Sequence, residues 1–354
     1  MFVDKLTSPE RMLNLALRKG IDRVPVLPNA TGYTGVLAGM SMKEFYLEPQ
    51  NMLKAQLWAA EMHQYDTIPG FDIPSFAGWD FGGEMQFPPR GKIQFPVLTR
   101  HAVEQPSDVD KLELPDLDTA PAASRYLKFA RLTHEAGFPV GIHLQAPLSN
   151  AVCVASTEKV LRWCYKEPEL VHRILRITTD YTLALADRLI DEFGAENCCA
   201  FEPAAVESNA VIPPKLFEKF ALPYIIEIHD KLIAKGVLPW LIHLCGDHTQ
   251  NLRFWKEQVQ VLPRTIFNLG SKVDLAYAAE VLGEDYIIGG NVPTTLLQNG
   301  TPDEVFEASR IIIEKMKHFG GGFALMPACA MPLAAPPVNV HALVRAARIF
   351  GSYE

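Results

Sequence analysis

The sequence predicts a (β/α)8 TIM barrel, an α/β fold of eight parallel strands alternating with helices, with an insertion after strand two. Three observations lead there. A chain of 354 residues has the length of one large α/β barrel and can bury a core without staples. Short β-rich runs alternate with longer amphipathic stretches, the pattern of parallel strands joined by helices. Eight such runs fit with no linker, internal repeat or low-complexity tract between them, so residues 1–354 read as a single domain. An open doubly wound sheet is the main alternative.

The elements follow in order. Thr7-Ser-Pro-Glu10 is a capping box with a proline in the first helical turn, and Thr301-Pro-Asp-Glu304 repeats it. Strands are expected at 23–29, 66–72, 138–145, 197–202, 237–243, 264–270, 285–290 and 322–327. Amphipathic helices are expected at 121–136, 167–193, 214–235, 272–282, 302–318 and 337–349. Residues 73–120, from IPSFAGWDFGGEMQFPPRG to the Pro/Asp-rich VEQPSDVDKLELPDLDTA, are too long and irregular for a simple βα loop. They read as an insertion near the barrel mouth, with room for a small hairpin.

Composition narrows the function. Hydrophobic residues make up 48% and charged residues 21%, as in globular proteins. A net charge of −8, with acids spread throughout, argues against a nucleic-acid or polybasic membrane partner. The N-terminal MFVDKLTSPERMLNLALRKG lacks the basic and apolar regions of a signal peptide, and no apolar run reaches the ~18 residues of a membrane span. The expected compartment is the cytoplasm, where six cysteines (153, 164, 198, 199, 245, 329) are core residues or metal ligands rather than disulfides. The totals allow a homodimer.

Barrels of this kind place their active sites at the C-terminal strand ends. The polar residues expected there are Asn29, Asp72, His143, Gln145, Glu202, His243, Cys245, Asn268, Asn291 and Cys329. In LIHLCGDH, period-two alternation puts His243 and Cys245 on one side of a strand. Imidazole and thiolate are preferred zinc ligands, and Cys329 in MPACAMP would complete a Cys2His set with one open position. Each residue taken alone reads more readily as core than as a ligand, since free cysteine is commonly buried. His248 falls near the next helix and is not expected to be a ligand.

HLCG after an apolar strand, YIIGGNVP, and a Cys-containing loop leading into PPVNVHALVRAAR together resemble the uroporphyrinogen decarboxylase-like superfamily. RVPV near the start and FEPAAVESNAVIPPKLFEKFALPY in the middle extend the resemblance over nearly the whole chain. The H-x-C…C pattern is similar to that of its zinc- and corrinoid-dependent methyltransferases. That resemblance implies a (β/α)8 barrel with Zn2+ held by His243, Cys245 and Cys329. Porphyrinogen decarboxylation fits poorly, because VPVLPNATGYTG has no arginine where the decarboxylases carry an RQAGR-type motif for substrate carboxylates.

Two jobs remain within the resemblance. One moves a methyl group from a small-molecule donor onto the cobalt of a corrinoid protein, and the other moves it from a methylcorrinoid to a thiol such as coenzyme M. GWDFGGEMQFP resembles donor-side enzymes acting on methoxylated aromatics, so O-demethylation is the preferred expectation, with Trp79 and Phe81 either lining a pocket beside Phe76 and Phe87 or packing as the core of the insertion. Tyr33, Asp72, His143, Gln145 and Asn268 are expected to contact substrate, Asn291 to hydrogen-bond backbone or substrate at the barrel mouth, and Glu202 to act as general acid or fourth ligand, with a salt-bridged structural carboxylate as its alternative. The chain has no D-x-H-x-x-G cobalamin module, so the corrinoid is expected on a partner protein docking over an exposed, partly apolar rim.

Overall fold

Proline decides where the barrel wall is regular. The computed structural model describes residues 4–353, so the first three residues of the N-terminal stretch read above lie outside it. Six parallel strands run in sequential order: β3 (Val140–His143), β4 (Cys198–Ala204), β5 (Trp240–Leu244), β6 (Ile266–Leu269), β7 (Ile287–Val292) and β8 (Phe323–Pro327). The first two barrel positions are held by extended chain instead of ladder strands. Val26 pairs in parallel with Leu325, the Leu325 N–H donates to Pro25 O (2.8 Å), and the Asp66 N–H donates to Val26 O (2.8 Å). Pro25, Pro28 and Pro69 have no N–H to give, so segments 23–29 and 66–72 close the barrel with sparse hydrogen bonds.

The insertion carries the antiparallel hairpin β1 (Glu84–Gln86) and β2 (Val97–Arg100), a short helix at Phe76–Asp80 and a 3-10 turn at Pro106–Lys111. The amphipathic stretches form helices over Ala123–Glu135, Pro168–Phe193, Leu275–Leu282, Pro302–Met316 and Pro337–Phe350, while the stretch from Pro214 breaks at Phe217–Ala221 before Leu222–Ala234. Both expected capping boxes are formed, at Thr7/Glu10 and Thr301/Glu304. Among the described residues no helix is long and apolar enough to cross a membrane.

The barrel floor is sealed from the N-terminal side. Leu15 of the helix Ser8–Ala16 packs with Leu27, Ile266, Ile287, Ala324 and Met326 inside the barrel. Beside it, the buried Arg11 and Arg23 each donate to the Asp66 carboxylate (2.7 and 2.8 Å), which also accepts the Val26 N–H (2.8 Å). Arg11 forks onto Asp22 as well (2.7 Å to each oxygen). Neutralising these charges in a dry place ties the two irregular barrel segments together.

Candidate functional site

Strand register assigns each candidate to one face of the wall. His243 is level with Pro203 on β4 and Asn268 on β6, and His143 is level with Phe201. Ile142, Glu202, Ile242 and Phe267 occupy the alternate positions and point into the helical layer.

This parity brings together the three ligand candidates. Donor atoms of His243, Cys245 and Cys329 all lie within 4.8 Å of one another, and the two sulfurs are 3.3 Å apart. Neither ring nitrogen of the buried His243 has a hydrogen-bond partner. An imidazole left orphaned beside two thiols is a fit for a soft divalent cation, because the missing partner is what a metal would supply. The hydrogen bond from Cys245 draws the Cys329 thiol down, with burial opposing and His243 assisting, while the same bond and burial push Cys245 up.

Cys245 is held by a stitched loop. Its N–H donates to Ala204 O (2.9 Å), and the buried His248 approaches the same oxygen through Nε2 (3.2 Å). Gly246 turns the chain at φ +87°, and a Cβ on Gly270 would come 2.1 Å from the Gly246 carbonyl oxygen, so both must be glycine. The neighbouring loop adds bonds from Ser208 Oγ to Asp247 O (3.0 Å) and from Asn251 Nδ2 to Glu207 O (2.8 Å). Glu207 is fully buried, accepts from Ser149 N (3.0 Å) and Oγ (2.6 Å), and burial pushes its carboxyl up against those bonds. Sequence reading passed over Glu207, Ser149 and Ser208. The polar run VESN, directly after an apolar strand, was the available signal.

Several expected site residues lie elsewhere. Glu202 is a correction: β4 continues to Ala204, two residues beyond the expected end, and parity turns Glu202 outward. There it accepts from His229 Nε2 (2.7 Å), whose Nδ1 faces Gln260 O (2.9 Å), so it is neither at the mouth nor beside the thiols. Tyr33 sits in the helix Thr31–Leu37, buried with its hydroxyl 3.0 Å from His63 Nε2. Trp79 packs edge-on against Phe87 (5.4 Å) under Arg125, and Phe81 against Tyr181 of the helix Pro168–Phe193 (5.4 Å), so these rings pack within the insertion and between it and the helical layer. Asn291 spends its amide N–H groups on Gly270 O (3.0 Å) and Val273 O (2.9 Å), taking the backbone half of its expected role and holding the loop after β6.

The remainder do face the interior or its wall. Asn268, beside His243 in the register, donates to Pro327 O (3.2 Å), and Gln145 Nε2 to Ser149 O (3.3 Å). His143 lies between Phe201 (5.3 Å) and Phe76 (5.5 Å) with both nitrogens buried and unpartnered, and burial lowers its imidazole to about 4. Asp72 is raised by burial and accepts from Thr31 Oγ1 (2.5 Å). Outside these, a cleft of about 680 Å³ opens between the insertion (Gln86, Lys92, Phe95, Val97) and the loop carrying Cys329 (Pro332, Leu333). Ile93, Phe95 and Val97 are exposed there, giving the insertion an apolar rim.

Comparison with known proteins follows the same lines. The chain is 26% identical over 354 residues to the methylated-thiol–coenzyme M methyltransferase of Methanosarcina mazei, covering 98% of this chain and 90% of that protein. It is 25% identical to the methylcobamide:CoM methyltransferase MtbA of Methanosarcina acetivorans, covering 96% and 98%. Human uroporphyrinogen decarboxylase matches at 30% identity over 139 residues, 37% of this chain and 35% of that one. A methyltransferase structure from Methanosarcina mazei superposes with a TM-score of 0.78 at 20% identity, covering 97% and 98%, and shares the fold. The full-length relatives are methyltransferases, the decarboxylase match is partial, and the uroporphyrinogen decarboxylase (URO-D) model matches residues 7–350. The chain belongs to the uroporphyrinogen decarboxylase family, in its methyltransferase branch.

Proposed function

We propose that this protein transfers a methyl group from the cobalt of a methylated corrinoid, carried by a partner protein, to a thiol acceptor. The observation that carries the reading is the three-donor cluster of His243, Cys245 and Cys329, with two sulfurs 3.3 Å apart and an imidazole lacking any other partner. The full-length relatives support the direction, because their names place methylcobamide and a thiol coenzyme in the reaction. The preferred expectation of a methoxylated aromatic donor loses its structural motive, since Trp79 and Phe81 are committed to packing.

Zinc is the ion these donors suit, and when bound it would supply Lewis acidity that keeps a thiol deprotonated at neutral pH. The chain's own part is positional. His243 and Cys245 are set by one strand and its stitched loop, and Cys329 arrives from the loop after β8. In the transfer, the acceptor sulfur attacks the methyl carbon as the cobalt–carbon bond breaks. The bonding pair stays on cobalt, which goes from Co(III) to Co(I), and the thiol proton leaves to solvent. Phe76 and Phe201 flank His143 and Met326 packs in the inner barrel layer, an apolar lining of the kind that favours a thiolate nucleophile over water.

Incubating the zinc-loaded chain with methylcobalamin and a small thiol tests the reading. Loss of the methylcobalamin spectrum together with stoichiometric thioether is the expected result. Methyl transfer from methoxyarenes to Co(I) corrinoid, with none to thiols, would reverse it.

A further inference from the structure

The part of the barrel mouth built by the loops after β3–β8 is poor in positive charge. The segments joining β3–β8 to their following helices are 144–146, 205–213, 245–251, 270–274, 293 and 328–336, and among these described residues Lys272 is the one lysine or arginine, and it is exposed. The same segments carry the fully buried Glu207 and the half-buried Asp247. Asp72 adds a third carboxyl behind the cleft wall. Thr31 hydrogen-bonds it (2.5 Å), and a Cβ on the next residue, Gly32, would lie 2.6 Å from Leu333 and 3.4 Å from Phe95, both of which line the cleft.

Neutral polar groups on this side are mostly committed. The Asn291 amide N–H groups are spent on Gly270 O and Val273 O, those of Gln145 on Ser149 O and Cys153 Sγ, and the Asn268 amide donates to Pro327 O. His143 keeps both nitrogens without a partner, and its burial favours the neutral ring, so it offers a hydrogen bond but no charge. Lys92 stands exposed on the outer cleft, where its ammonium is solvated and its attraction screened. A sulfonate or carboxylate brought to this mouth would give up water without meeting a desolvated guanidinium or ammonium, a cost that nothing on this side returns.

We propose that the acceptor is a thiol with an uncharged tail, and that the mouth discriminates against anionic thiols. The proposal rests on the thiol-acceptor reading above and departs from the coenzyme named for the relatives.

The test uses the zinc-loaded full chain with two thiols that differ at the far end, 2-mercaptoethanol and 2-mercaptoethanesulfonate. Calorimetry gives the Kd of each, and methylcobalamin consumption at matched thiolate concentration gives kcat and KM. The expected result is a Kd and KM for the neutral thiol at least tenfold below those of the sulfonate, with kcat within about threefold. Equal or tighter binding of the sulfonate overturns the proposal while leaving thiol methylation in place. If neither thiol binds and neither is methylated, the thiol-acceptor reading falls and takes this proposal with it.

Discussion

Replacing Cys329 with serine removes one of three clustered donors and leaves the strand-borne His243–Cys245 pair intact. The magnitude follows from what a ligand contributes. Structural zinc sites with four protein ligands bind with ~10–16 kcal/mol, or ~2.5–4 kcal/mol per ligand. At ~1.4 kcal/mol per decade, losing one thiolate weakens zinc binding about 10²–10³-fold. A serine hydroxyl does not ionise in this range, so it cannot stand in for a thiolate ligand. Cys329 is only half-buried in a loop, so the variant keeps the fold and its unfolding midpoint stays near that of the parent. Competition with a chromophoric chelator, run beside circular dichroism, measures both. Zinc affinity within about threefold of the parent, or a parent that binds no stoichiometric zinc, would refute the argument that these three residues form one site.

Four further outcomes follow. His248→Ala is expected to weaken metal binding about 10–100-fold by releasing the bond to Ala204 O that backs Cys245, and His248→Gln, which keeps an N–H donor, to recover much of it. Glu202→Gln should leave metal affinity within about twofold while lowering stability by roughly 1–3 kcal/mol, because Glu202 lies on the outer side of β4 with His229; a large loss of metal would place it at the mouth after all. Asp66→Ala strands the buried Arg11 and Arg23 and is expected to cost about 3–5 kcal/mol by urea denaturation. For pH, burial would raise the Asp22 carboxyl, but bonds from Arg11 and from the Leu6 and Lys5 N–H groups outweigh it and hold it at about 2, below its ordinary 3.8. Its contribution to stability is present above pH 3.8 and is lost as pH falls through about 2. Asp22→Asn should flatten the fall in thermal midpoint across that window.

What the sequence determined by itself was the order of things. Alternating apolar runs and amphipathic stretches dictate a barrel, and two capping boxes mark helix starts that the structure realises at Ser8 and Pro302. Period-two alternation placed His243 and Cys245 on one side of β5, because strand geometry is local. The partnership with Cys329, 84 residues away, was legible as chemistry, and its 3.3 Å sulfur separation is a product of barrel closure. Tertiary structure alone decided which residues of a strand end face the mouth. A strand end displaced by two residues left parity unchanged, and parity sent Glu202 to His229 instead of toward the thiols. Aromatic rings drawn to the insertion by composition were claimed by packing, as Trp79 by Phe87 and Phe81 by Tyr181. Glu207 and His248 gained their roles from loops that meet only in space, around a carbonyl at the end of β4 and a hydroxyl on the helix Pro147–Ala155. Local patterns dictate which chemistry is available, but burial and contact between distant segments determine which of those groups remains free to use it.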